Sequence, residues 1–112
     1  PMETIDQYRQ IVRNLLQQYA AFKSSRNTVK AEVIIDPAKD HYQLLYIGWD
    51  GSRRVHDIAI HIEITGDKVW LQRDNTDLVV AEDLVEMGVP RDVIVLGFRP
   101  SQLRQYTGYA VA

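Results

Sequence analysis

Ten residues in the middle of the chain, Val55-His56-Asp57-Ile58-Ala59-Ile60-His61-Ile62-Glu63-Ile64, alternate with a period of two. Ile58, Ile60, Ile62 and Ile64 fall on one side, and Asp57, Ala59, His61 and Glu63 on the other. Successive side chains of a strand project to opposite faces, whereas apolar positions on a helix recur every three or four residues. The segment therefore reads as a half-buried antiparallel strand. One strand cannot bury its apolar face alone; it needs paired neighbours and a covering layer.

The neighbours flank it in sequence. Tyr42 to Trp49 reads as a strand, and Asp50-Gly51 makes a turn, since Asp-Gly tolerates positive φ. On the other side Gly66-Asp67 turns the chain into Lys68 to Arg73. Upstream, Val29 to Asp36 is a further strand, closed by Asp36-Pro37 because proline cannot donate to a central ladder. With Thr65 opposite Lys68, Ile64 faces Val69, Glu63 faces Trp70, Ile62 faces Leu71 and His61 faces Gln72. Across the other turn, Leu45 is expected opposite Ile58, Tyr46 opposite Asp57 and Tyr42 opposite His61. This puts all four isoleucines on one face with Leu45, Ile47, Val69 and Leu71. The reverse face then holds Tyr42, Leu44, Tyr46, Asp57, Ala59, His61, Glu63, Trp70 and Gln72.

Thr4 to Lys23 reads as a helix. Thr4 with Gln7 fits a capping box, and Ile5, Tyr8, Val12, Leu15, Tyr19 and Phe22 form one apolar stripe. Ser24-Ser25-Arg26-Asn27 is expected to end it. Thr76 to Met87 reads as a second helix, supported by Asp77 at its start and Gly88 just past its end. Val93 to Leu96 is too short for its period to separate helix from strand. Arg99 to Arg104 reads as a helical turn with Pro100 near its start, and Tyr106 to Ala112 is expected to pack down. The expected fold is α+β, in one domain over 1–112. An N-terminal helix packs on a four-stranded antiparallel meander, followed by a second helix and a short C-terminal helical or extended segment.

Composition limits the chemistry. The chain has 112 residues, no cysteine and a formal net charge of −2. A thiol nucleophile and a thiolate metal site are absent, and so is the basic excess that supplies most non-specific DNA affinity. No apolar run reaches the length of a membrane span, and a cytoplasmic protein is expected. There is no Gly-rich phosphate loop, no Gly-x-Ser-x-Gly elbow and no His-Glu-x-x-His. His61 has Asp57 and Glu63 on its side of the strand, but those residues lie about 13 Å and 7 Å away along one straight strand. They cannot converge on one ion, so no metal, cofactor or catalytic residue is assigned.

The reverse sheet face mixes rings with polar groups, which suits a protein interface. Its candidate partner-binding residues are Tyr42, Tyr46, Asp57, His61, Glu63, Trp70 and Gln72. Trp49 with Arg53 and Arg54 at a hairpin tip, and Arg99 and Arg104 in the tail, form a weaker nucleic-acid candidate set. Helix and sheet face could each support a homo-oligomer.

The chain resembles the XisI family, the fdxN element excision controlling factors of cyanobacteria. The likeness rests on Asp40-His41-Tyr42-Gln43-Leu44-Leu45, Gly48-Trp49-Asp50-Gly51, Arg53-Arg54-Val55, His61-Ile62, Trp70-Leu71-Gln72 and Asp74. It continues through Leu84-Val85, Gly88-Val89-Pro90, Ile94-Val95-Leu96-Gly97-Phe98 and the ending Tyr106-Thr107-Gly108-Tyr109-Ala110-Val111-Ala112. Arg99-Pro100-Ser101 departs from the His-Pro-Pro-like run expected there. The resemblance implies a non-enzymatic factor that controls excision of a DNA element during heterocyst differentiation. It implies action through an XisH-like, nuclease-related companion, with recombination left to a separate recombinase. The alternatives are a direct DNA-binding accessory factor and a small metal-dependent enzyme.

Overall fold

Three of the four central isoleucines, Ile60, Ile62 and Ile64, are buried against the N-terminal helix, and Ile58 is not among them. The reason lies in one of two irregularities of an otherwise regular sheet. The computed structural model describes residues 2–26 and 28–112. Its helix α1 spans Met2–Arg26, so Thr4 lies within it and does not cap it. The helix runs through Ser24 and Ser25, and Asn27 lies outside the described residues. Tyr8, Val12, Leu15 and Leu16 form the buried stripe, at the spacing a helix laid on a sheet requires.

Four strands follow as an antiparallel meander: β1 (Val29–Asp36), β2 (His41–Asp50), β3 (Arg53–Thr65) and β4 (Lys68–Asp74). The expected pairs Ile64–Val69, Glu63–Trp70 and Ile62–Leu71 form, as do Leu45–Ile58 and Tyr46–Asp57. Between Leu44–Ile60 and Leu45–Ile58, however, Ala59 is an extra residue on β3. Between His61–Arg73 and Ile62–Leu71, Gln72 is an extra residue on β4. Such bulges shift one strand by a residue against its partner and so exchange which residues share a face. Tyr42 therefore opposes Ile62 and not His61, while His61 opposes Gln43 and Arg73 and not Gln72. Tyr42 and Leu44 enter the core with Ile60, Ile62, Ile64, Val69 and Leu71. Leu45, Ile47 and Ile58 turn to the opposite side. Each fully buried aliphatic side chain is worth about 1.5–3 kcal/mol, so this register is strongly favoured over a slipped one.

The sheet has a fifth strand that the meander reading omitted. Ile94–Leu96 forms β5, parallel to β4, giving the order β1-β2-β3-β4-β5. The β4-to-β5 crossover carries α2 (Val80–Glu86). Ile94 and Val95 are both fully buried, as in a parallel strand covered on each side, and such a run has no period to read. A 3-10 turn over Arg91–Val93 leads into β5.

Helix α2 starts four residues later than expected. Asp74 Oδ1 accepts from the amide and hydroxyl of Thr76, and Thr76 Oγ1 accepts from the amide of Leu78. These local bonds compete with helix formation. At its other end Gly88, at φ +118, closes the helix as expected, with Val89 donating to Leu84 O and Gly88 to Val85 O. After Pro100, a 3-10 helix spans Ser101–Tyr106. Ala110 then bridges Val95, and Tyr109 donates to Glu82 of α2, so the tail packs down. Tyr19 of α1 donates to Asp83, joining both helices over one sheet face. No helix among the described residues is long and apolar enough to cross a membrane.

Candidate functional site

With both helices on one side, the other side of the sheet is the outer face. Ile34 of β1 is 43% exposed there. Beside it stand Leu45 and Ile47 of β2 and Ile58 of β3, half-buried and outside the core cluster. The alternation places them together: Ile34 opposes Gln43, two residues before Leu45, and Leu45 opposes Ile58. Their apolar surface has no helix over it. Contiguous exposed apolar surface with a polar rim marks interaction sites.

The rim on one side is a polar chain. His41 Nδ1 and His61 Nε2 are 2.9 Å apart, with ring centroids at 5.1 Å. His41 Nε2 lies 3.9 Å from Glu63 Oε2, and Gln72 Nε2 donates to Glu63 Oε1 at 3.1 Å. Burial holds the His61 imidazole below its ordinary range; His41 pushes it the same way, and Glu63 opposes. The pairing of His41 with His61 was not legible in sequence. It exists because the Ala59 bulge brings Gln43, rather than Tyr42, opposite His61.

The C-terminal segment covers part of this face. A Cβ on Gly97 would lie 2.5 Å from Gln72 Oε1 and 3.1 Å from Trp70 Cε3, so the backbone there rests directly on both side chains. The Arg104 guanidinium sits 5.2 Å from the Trp70 ring centre. It also donates to the carbonyls of Arg99, Val111 and Gly97. Trp70 and Gln72 thus lie beneath the protein's own tail. The uncovered part is the Ile34, Leu45, Ile47 and Ile58 surface.

Three other candidate partner residues are elsewhere. Tyr42 is 1% exposed, inside the core, where its hydroxyl donates to Asp40. Tyr46 and Asp57 face the helix side; Lys23 of α1 lies over the Tyr46 ring, and Asp57 accepts from Arg73 and Asn75. Both line a cleft of about 430 Å³ near the end of α1, with Lys23, Asp50, Arg53, Arg54 and His56. Burial first, then Asp77, Asp74 and Asp57, raises the Tyr46 phenol. Arg54 stacks on Trp49 at 5.3 Å, and Arg53 pairs with Asp50 at 3.3 Å. Arg99 stacks on Phe98, and Arg104 is held by its own segment, so the tail arginines do not join the hairpin pair. Among the described residues, no group of three or more His, Cys, Asp or Glu is placed to hold a metal ion.

A family model described as XisI protein matches residues 2–111. The crystal structure of a XisI-like protein from Anabaena variabilis is 44% identical, with a TM-score of 0.84, covering 94% of this chain and 96% of that one. The crystal structure of the fdxN element excision controlling factor XisI from Anabaena variabilis is 32% identical, with a TM-score of 0.79, covering 97% of this chain and 99% of that one. No match is found among curated proteins. The bulged five-stranded sheet under two helices is thus the fold of a group that these comparisons identify, and the chain belongs to the XisI family.

Proposed function

We propose that this chain is a non-enzymatic controlling factor for excision of a DNA element. It acts by docking an XisH-like, nuclease-related companion on its outer sheet face. The observation that carries the reading is the half-exposed Ile34–Leu45–Ile47–Ile58 surface, on the side of the sheet away from both helices. The likeness to an fdxN element excision controlling factor over nearly the whole chain supports the biological role. The net charge of −2 supports control through protein contact rather than through a phosphate-neutralising surface. Co-purification with the companion is the test. The wild-type chain captures it, and Ile47→Asp, substituted on the outer face, does not. Capture unchanged by Ile47→Asp and Ile58→Asp would remove this surface from the mechanism.

A second reading has one supporting observation. Lys23, Arg53 and Arg54 line a single cleft, with Trp49 exposed beside them at the hairpin tip. In this reading the tip contacts the backbone of element DNA while the companion is docked. Gel shifts at low salt with border DNA discriminate it from pure protein docking.

A further inference from the structure

Resting on the docking reading above, we propose that the His41–His61 pair is a proton-operated latch that makes occupation of the outer face pH-dependent. The contact between His41 Nδ1 and His61 Nε2, 2.9 Å across, requires one hydrogen between the two nitrogens. With both rings neutral, or with one protonated, a single N–H points at a lone pair and the bond holds. With both protonated, two N–H groups point at each other and two cations sit in contact. The second proton therefore forces at least one ring to move.

The charged groups around the pair relieve this only in part. Glu63 on β3 is the near carboxylate: its Oε2 lies 3.9 Å from His41 Nε2 while its Oε1 accepts from Gln72, so it offsets part of the second charge. Asp36 on β1 opposes His41 in register, but its carboxylate accepts from the turn amides of Ala38 and Lys39. Asp40 in that turn is bound by Arg9 and Tyr42. Arg73 on β4 opposes His61 and donates to Asp57 and to Ile58 O. Arg104 of the tail lies over Trp70.

The pair borders the apolar surface, since Gln43, the partner of His61, lies between His41 and Leu45 on β2. A protein laid there removes water from the rings, and desolvation penalises the doubly charged form most. Docking then expels the second proton. Affinity is full through the ordinary imidazole range and declines as the pH falls through the lowered His61 value, at up to about tenfold per pH unit for one linked proton.

The test titrates the XisH-like companion onto the intact chain at about pH 7.5 and about pH 5.5, with wild type and His61→Gln. Wild type should weaken measurably at the lower pH, by at most about tenfold for each unit below the His61 value, and His61→Gln, which cannot take the second proton, should weaken much less. Ring-proton NMR of the free chain should show His61 titrating below the ordinary imidazole value. Equal affinity at both pH values, an equal loss in the variant, or an ordinary His61 titration would each overturn the latch. If the folded chain binds no companion at either pH, the docking reading fails, and the ring titration alone decides whether the pair behaves as a latch.

Discussion

Arg9 of α1 donates to both carboxylate oxygens of Asp40, each at 2.9 Å, across the turn between β1 and β2. Tyr42 donates to the same carboxylate at 2.9 Å from inside the core. Asp40 is held at φ +57, a left-handed conformation that Asp tolerates better than most residues. One side chain thus ties helix, turn and core together, on the strand end that carries His41.

This predicts a specific acid sensitivity. Arg9, then Tyr42, holds the Asp40 carboxyl below the usual carboxylate range, while burial opposes them. A depressed carboxyl stabilises the folded state above its ordinary range and loses that contribution as the pH falls through its folded value. Asp40→Ala should be destabilised at neutral pH by about 1–3 kcal/mol, because the Tyr42 hydroxyl, itself pushed up to about 12, loses its acceptor. The wild-type advantage should shrink on acidification below about pH 4. Urea midpoints of both proteins across pH measure this; a constant gap would contradict it.

Gly48 allows no side chain. A Cβ there would meet Thr28 O at 2.7 Å and Val29 Cα at 2.9 Å, both backbone atoms that cannot swing aside. Gly48→Ala should cost about 1–3 kcal/mol by overpacking, read as a fall in the denaturation midpoint. An unchanged midpoint would mean that β1 and β2 are not so closely apposed.

Leu44 and Leu45 are adjacent, yet they should behave oppositely. Leu44 is fully buried and Leu45 faces outward, a division set by the Ala59 bulge. Leu44→Asp should lose about 3–5 kcal/mol or fail to fold, as an unpaired charge enters the core. Leu45→Asp should keep the circular dichroism spectrum of wild type and lose companion capture. The reverse pattern would place the bulge elsewhere.

If the hairpin tip contacts DNA, only a few phosphates are within its means. Affinity should then fall with salt at a log–log slope of about −2 to −3, and Arg53→Ala with Arg54→Ala should flatten it. A salt-independent shift, or none at low salt, would leave the cleft without a role in DNA contact.

Much of the fold was legible because turn chemistry and alternation are local. Asp50-Gly51 and Gly66-Asp67 placed both hairpins, and Gly88 placed the end of α2. The family motifs were legible in the same way, as residues in order. The start of α2 was not, because Asp74 and Thr76 spend their side chains on nearby amides instead of opening a helix at Thr76. The candidate site was the least legible part: His61 and Glu63 lie on the outer face as the alternation implies, but Tyr42, Tyr46 and Asp57 lie on the helix side.

Local patterning alone thus settled that β3 is a strand with an apolar side and that a helix covers it. Which isoleucine leaves that side, which histidine meets which, and which rings the tail covers depended on Ala59 and Gln72 slipping out of the ladder and on β5 joining β4. A bulge changes no residue and leaves the period almost intact, so it is invisible to patterning. Its position is chosen by how two strands and two helices pack at once, and that competition is not encoded in any one segment.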